Sequence, residues 1–215
     1  MYFELKRRLM VDRQLRGRGI HDERVLAAML EIPREEFIPE ELRAEAYSDE
    51  PVSIGYGQTI SQPYMTALMA QCLELKDTDS VLEVGGGCGY HAAVLGAIAA
   101  RVISMELIPE LAGIARENLE RTGRAHNIEV VTGDGSLGRA ALAPYDAISV
   151  AAASGGIPRA LIAQLKDSGR MVIPVGPDFE QELRVIRKSG TGIEWHVAAW
   201  CRFVPLREAE TTDTK

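Results

Sequence analysis

The chain has 215 residues, 46% of them hydrophobic and 26% charged, which is enough apolar material for one sizeable core. Its formal net charge of −7 argues against a surface that tracks phosphates, because nucleic-acid binders gather Lys and Arg on one face. The three cysteines, Cys72, Cys88 and Cys201, stand at unrelated spacings, so neither a disulfide framework nor a paired-cysteine metal site is expected, and a reducing compartment fits.

At the N-terminus, Tyr2-Phe3-Glu4-Leu5-Lys6-Arg7-Arg8 has no apolar signal core behind its basic residues. The longest apolar run, residues 92–100, is too short to cross a bilayer. A cytoplasmic protein without membrane contact is the expectation. Leu5 and Leu9, then Val25, Leu26, Met29 and Leu30, fall at helical spacing and predict two short helices, the second capped by Asp22. Residues 31–58 scatter Pro33, Pro39, Pro51, Gly55 and Gly57 among acids, which predicts an irregular arm of turns and extended pieces.

From residue 63 the texture alternates. The pattern predicts a helix over 63–73, a strand over 80–84, a helix over 90–100, a strand over 101–106, a helix over 109–122 and a strand over 128–132. A strand over 146–151, a helix over 157–165 and a strand over 170–175 follow. Two further strands, 183–188 and 193–204, are joined by Ser189-Gly190-Thr191-Gly192 as a hairpin. Strands alternating with helices imply a parallel sheet covered on both faces. The expected fold is therefore α/β: a doubly wound, mostly parallel, seven-stranded sheet with an N-terminal helical extension and a C-terminal antiparallel hairpin. Residues 1–62 form the extension and a substrate-covering segment, 63–206 the core, and 207–215 a frayed polar tail, all in one domain.

The run Val81-Leu82-Glu83-Val84-Gly85-Gly86-Gly87-Cys88-Gly89-Tyr90 is an apolar strand entering a loop of tiny residues that opens a helix. Open α/β sheets bind nucleotides at such a turn, where glycines let backbone N–H groups approach a ligand. A nicotinamide-binding turn needs its third glycine where Tyr90 stands, so that fingerprint is broken. Glu83, inside the strand, suits a cofactor with a cationic amino-acid end better than a pyrophosphate, which a carboxylate repels. S-adenosyl-L-methionine has that end and no phosphate. Glu106 closes the next strand, where a carboxylate can accept from both ribose hydroxyls, and Asp134, in Gly133-Asp134-Gly135, is placed to face the adenine amino group. Any one of these alone is an ordinary cap or solvated acid. Three at successive strand ends make a site.

Ahead of the core, Gly57-Gln58-Thr59-Ile60-Ser61-Gln62-Pro63-Tyr64-Met65 sets two hydroxyls before a helix with Pro63 in its first turn. Ser61 is then either an ordinary N-cap or, with Thr59, part of an anion site at a helix N-terminus. The four histidines, His21, His91, His126 and His196, show no metal-ligand spacing, and no metal is expected. Cys88 reads as a small packing residue. Met65 and Met69, and likewise Trp195 and Trp200, read as packing pairs.

With these segments the chain resembles the protein-L-isoaspartate (D-aspartate) O-methyltransferases, from roughly the first helix to Leu206. The most specific element is the segment 57–65, which other methyltransferases generally lack. Asp12-Arg13-Gln14-Leu15, Pro144-Tyr145-Asp146-Ala147-Ile148, residues 158–166 and Phe203-Val204-Pro205-Leu206 also fit. Gly86 and Cys88 depart from the threonine and serine common there, and Ser154-Gly155-Gly156 replaces a stretch that often contains proline.

The resemblance implies a class I, Rossmann-like methyltransferase that takes S-adenosyl-L-methionine and releases S-adenosyl-L-homocysteine. Its substrates are isoaspartyl-containing proteins or peptides, with repair following through a succinimide. It implies Ser61 as the active-site serine, with Thr59 beside it at the substrate, and a cofactor pocket made of Thr59, Ile60, Ser61, Glu83, Gly85, Gly86, Gly87, Cys88, Gly89, Glu106, Leu107, Asp134 and Gly135. Competing readings are a carboxyl methyltransferase acting on aspartate of a modified peptide or on a small acid, and a non-catalytic adenosyl-ligand binder. The sequence does not fix the oligomeric state; a monomer is preferred.

Overall fold

The computed structural model describes residues 2–190 and 192–209. Two helices open it, α1 (Tyr2–Leu9) and α2 (Glu23–Glu31). Asp22 caps α2 as expected, its carboxylate accepting from the Arg24 N–H at 2.9 Å. Between the helices, the chain continues as one wide helical stretch, Met10–Leu15, and a tight turn ended by Gly19 at φ 93°. The apolar spacing of the sequence did not separate these.

The arm holds more regular structure than expected. Short 3₁₀ turns at Arg34–Phe37 and Glu40–Glu45 are followed by a hairpin, β1 (Val52–Gly55) against β2 (Gln58–Ile60). Tyr56 and Gly57 turn it with φ of 54° and 70°, the left-handed pair that two-residue hairpins favour. Val52, Ile54 and Ile60 are buried beneath it.

The core elements follow as α3 (Pro63–Cys72), β3 (Ser80–Val84), α4 (Tyr90–Gly96), β4 (Arg101–Glu106), α5 (Pro109–Arg121), β5 (Ile128–Thr132), β6 (Tyr145–Val150), α6 (Arg159–Gln164), β7 (Leu165–Val175), β8 (Gln181–Ser189) and β9 (Gly192–Cys201). The sheet order is β5-β4-β3-β6-β7-β8-β9, parallel through β7 and antiparallel for β8 and β9. The doubly wound sheet and its terminal hairpin are thus as the alternation implied. Helix α4 stops four residues short of its predicted end because Asn127 donates to the Gly96 and Ala99 carbonyls (2.9 and 3.0 Å), tightening the last turn. Strand β9 ends at Cys201, whose register partner Gln181 is the first residue of β8; beyond it Phe203 N–H donates to Gln181 Oε1 at 2.8 Å, and the chain crosses to Ala153, whose N–H donates to Val204 O at 2.8 Å.

Side chains alternate between two buried clusters. Val81, Val102 and Ala147 face one, and Leu82, Val84, Ile103, Ile148 and Val150 face the other. The carboxyl ends of β3, β4 and β6 converge beside the arm, and there the apolar packing opens.

Candidate active site

The loop leaving β3 is held through its main-chain N–H groups. The Gly85 and Gly86 N–H groups both donate to Met105 O (2.9 and 3.0 Å), and Gly89 N–H donates to Gly86 O (2.9 Å). Gly87 N–H donates to Glu106 Oε2 at 2.8 Å, while Ile108 N–H donates to Glu106 Oε1 at 2.9 Å. Gly85, Gly87 and Gly89 have φ of 85°, 53° and 87°, a region where a side chain is strained. The loop therefore offers close approach, whereas the expectation that its N–H groups point at a ligand is corrected for these four glycines: they are engaged in holding the loop. A pyrophosphate needs such donors; an ammonium or sulfonium does not.

Three hollows join here. A crevice runs along Gly85, Gly87, Glu106, Leu107 and Gly135, floored by Met105, Ile108, Ala151 and Ala152 and lined further by residues 204–207. An inner hollow is lined by Thr59, Ile60, Ser61, Gly85, Gly86, Gly87, Cys88 and His91. A larger outer cleft opens to solvent past Ser61, Tyr64 and Trp200. Thr59 and Ala151 line all three, and Ser61 stands where the inner hollow meets the outer cleft.

Ser61 does not cap α3. Gln62 occupies the N-cap position without a side-chain capping bond, and the Ser61 hydroxyl has no hydrogen-bond partner among the described residues. Its main chain is fixed from behind by the arm. The fully buried Arg34 guanidinium donates through Nη2 to Ser61 O (2.8 Å) and through Nε to Ala46 O (2.7 Å), and it lies 5.0 Å from the Tyr90 ring centroid. Burial lowers the Arg34 pKa, yet a guanidinium keeps its proton.

Glu83, Gly89 and Asp134 are not brought onto the walls. Glu83 is fully buried under the loop on the sheet face shared with Ser104 and Ser149, its register partners in β4 and β6. It accepts from the Ser104 hydroxyl and lies 3.5 Å from His91 Nδ1. Burial raises its carboxyl to about 8, against the lowering effect of the Ser104 bond, with Glu106 adding to the rise. Burial likewise lowers His91 to about 4. Gly89 packs on the Ala115 backbone, where a Cβ would come within 3.2 Å. Asp134 caps the turn Gly135–Leu137 through Ser136 N–H and accepts from Ala209 N–H, both at 2.9 Å. Cys88 is buried and its thiol is pushed up to about 11 by burial, consistent with a packing role.

The sequence reading missed the crevice floor, Arg34 and His91. It also took 207–215 as a frayed tail, but Arg207 lines the crevice and Ala209 is bonded to Asp134; residues 210–215 lie outside those described. Trp195 and Trp200 are not packing residues: they are 49% and 64% exposed.

A family profile described as protein-L-isoaspartate (D-aspartate) O-methyltransferase matches residues 6–211. A protein-L-isoaspartate O-methyltransferase of Koribacter versatilis is 52% identical over 204 residues, covering 95% of this chain and 91% of that protein. One from Methanoculleus marisnigri is 52% identical over 202 residues, covering 94% and 91%. Among solved structures, a protein-L-isoaspartate O-methyltransferase superposes with a TM-score of 0.82 at 31% identity; the match covers 93% of this chain and 65% of that longer one. A second, from Plasmodium falciparum in complex with S-adenosyl-L-homocysteine, gives 0.78 at 27% identity, covering 94% and 98%.

Proposed function

Since the chain belongs to the protein-L-isoaspartate (D-aspartate) O-methyltransferase family, we propose that its crevice holds the methyl donor and that Ser61, at the junction with the outer cleft, orients the carboxylate that receives the methyl group. The chain is an S-adenosyl-L-methionine-dependent protein-L-isoaspartate O-methyltransferase. The donor supplies an electrophilic methyl group on a sulfonium whose departure leaves a neutral thioether.

The residues fit that donor. Met105, Ile108, Ala151 and Ala152 form an apolar bed for the adenine, and Glu106, at the end of β4, presents the carboxylate suited to the ribose hydroxyls. Gly85 to Cys88, with Thr59 and Ile60, surround the inner hollow, where the amino-acid end belongs. Leu107 and Gly135 complete the crevice wall, and Asp134 sets the position of Gly135 by capping its turn.

An isoaspartyl carboxylate has a side-chain pKa of about 3.9 and is ionised at neutral pH, so no strong base is required. The task of the site is alignment and exclusion of water, which in favourable cases lowers a barrier by roughly 7–11 kcal/mol. Ser61 donates its hydroxyl to one carboxylate oxygen, leaving the other in line with the methyl group, and Thr59 guards the junction. The ester so formed carries a better leaving group, and the following backbone nitrogen can close a succinimide that opens partly to aspartate. A monomer confined to the cytoplasm, acting as one methyltransferase unit without nucleic acid, completes this reading; no helix among the described residues is long and apolar enough to cross a membrane.

The observation that carries the residue-level reading is the uncapped Ser61 hydroxyl at the meeting of the hollows. Base-labile methyl incorporation into matched isoaspartyl and aspartyl peptides tests it. Ser61→Ala is expected to lower kcat on the order of tenfold to a hundredfold, with the cofactor Kd from calorimetry held within a few-fold. Unchanged kcat removes Ser61 from the mechanism, and a preference for aspartyl peptide removes the repair assignment.

A further inference from the structure

A carboxylate held at Ser61 belongs to a residue within a chain, and that chain must leave the site. Ser61 lines the inner hollow and the outer cleft but not the crevice, and of the two hollows it borders the outer cleft is the larger. The continuous way out from Ser61 is the outer cleft.

Of the three aromatic side chains that line that cleft, Phe203 is buried; the other two lie on separate elements, Tyr64 in the first turn of α3 and Trp200 near the end of β9. Their surroundings differ. The Arg18 guanidinium stacks on Tyr64 at 3.7 Å and is itself tied to Asp49 at 2.8 Å. Trp195, five residues before Trp200 on the same strand and outside the cleft, is covered by Arg184 at 4.2 Å. Trp200 has no stacked ring or cation among the described residues and is 64% exposed. An uncovered Trp at the rim of a pocket is the residue type that carries a disproportionate share of binding energy when a partner covers it.

We propose that the outer cleft is the subsite for the polypeptide flanking the isoaspartyl residue, and that Trp200 selects substrates with an aromatic or large aliphatic side chain close to the damaged position. This rests on the methyltransferase reading above. The Trp200 ring gains a partner only when such a side chain is present. The Arg18–Tyr64 stack forms another part of the wall, already ordered, so that part needs little reorganisation on binding.

The test uses the full chain and isoaspartyl hexapeptides that differ only at the residues flanking the isoaspartate, Phe in one and Ser in the other. In the unaltered enzyme, kcat/KM is expected to favour the Phe peptide about tenfold. Trp200→Ala should bring that ratio close to one, Trp200→Phe should keep most of it, and Trp195→Ala should leave it in place. A ratio near one in the unaltered enzyme, or a tenfold ratio that survives Trp200→Ala, overturns the subsite. Failure of the underlying reading looks different: neither peptide is methylated by any form of the enzyme.

Discussion

The glycine loop and the arm meet at Ser61 and the inner hollow, yet they are held by opposite means. The loop is fixed through its main-chain N–H groups, with Met105 O taking two of them at once and the Glu106 carboxylate a third, and it works because its own side chains are missing. The arm is fixed by side chains acting on main chain. Arg34 reaches Ala46 and Ser61, Gln14 donates to Tyr47 O at 2.9 Å, and Gln62 donates to Asp49 O at 2.8 Å. Arg7 adds Tyr47 and Glu35, at 2.8 and 3.0 Å. A donor pocket can thus be formed by backbone geometry, whereas the acceptor side depends on a few buried polar groups whose loss has no local substitute.

The largest expected effect follows from removing the central group of the arm. Arg34→Met keeps much of the volume but leaves the Ala46 and Ser61 carbonyls without their charged donor, at a cost of about 3 kcal/mol or more. Arg34→Lys should recover part of this, because one ammonium cannot reproduce the fork that reaches both carbonyls. Denaturant midpoints measure both variants. An Arg34→Met protein within about 1 kcal/mol of the original would place the arm's anchor elsewhere and dissolve the contrast with the loop.

The loop side is sharpened by a smaller change. An ideal Cβ on Gly86 would lie 2.3 Å from Ser104 Oγ and 3.5 Å from Glu83 Oε2, so the serine hydroxyl of the neighbouring strand fills the place a side chain would take. Gly86→Ala is expected to cost about 1–3 kcal/mol through overpacking. Combined with Ser104→Ala, the total should fall short of the sum of the single changes by about 1 kcal/mol. Additive costs from the same denaturation series would show that the loop yields as a whole and that Ser104 does not block it.

What could be read from sequence divides along the same line. Glycines at 85, 87 and 89 announce their backbone conformation directly, and strands such as Val81–Val84 announce their burial by apolar continuity. Both follow from local rules. Arg34 carries no local signal: an arginine in Ile32-Pro33-Arg34-Glu35 reads as solvated, and only the tertiary arrangement brings Ala46, Ser61 and Tyr90 around it. The same holds for Glu83. Its type suggested a ligand contact, but the register with Ser104 and Ser149 turns it under the loop. The hairpin at residues 52–60 was hidden by prolines and glycines that also mark irregular chain, though Val52 and Ile54 did alternate.

The buried row beneath the loop gives the smallest effect at neutral pH and the most specific signature. With its carboxyl raised to about 8 from 4.5, Glu83 keeps its proton in the folded chain while the unfolded chain releases it. Its contribution to stability is therefore full below about 4.5 and is lost as pH rises through about 8. His91, lowered to about 4 from 6.5, acts in the other direction: its contribution is present above about 6.5 and is lost as pH falls through about 4. The two slopes oppose each other between about 4.5 and 6.5, and from there to about 8 only the Glu83 slope remains. Glu83→Gln puts a neutral amide where a neutral acid stood, so its cost near pH 6 should stay within about 1 kcal/mol. The fall in stability between pH 6.5 and 8 should be shallower in the variant than in the original. Paired denaturation curves at half-unit steps of pH measure the difference. Parallel curves would mean that Glu83 is ionised in the folded chain, and the loop would then stand over a buried negative charge, held by a charge much as Arg34 holds the arm.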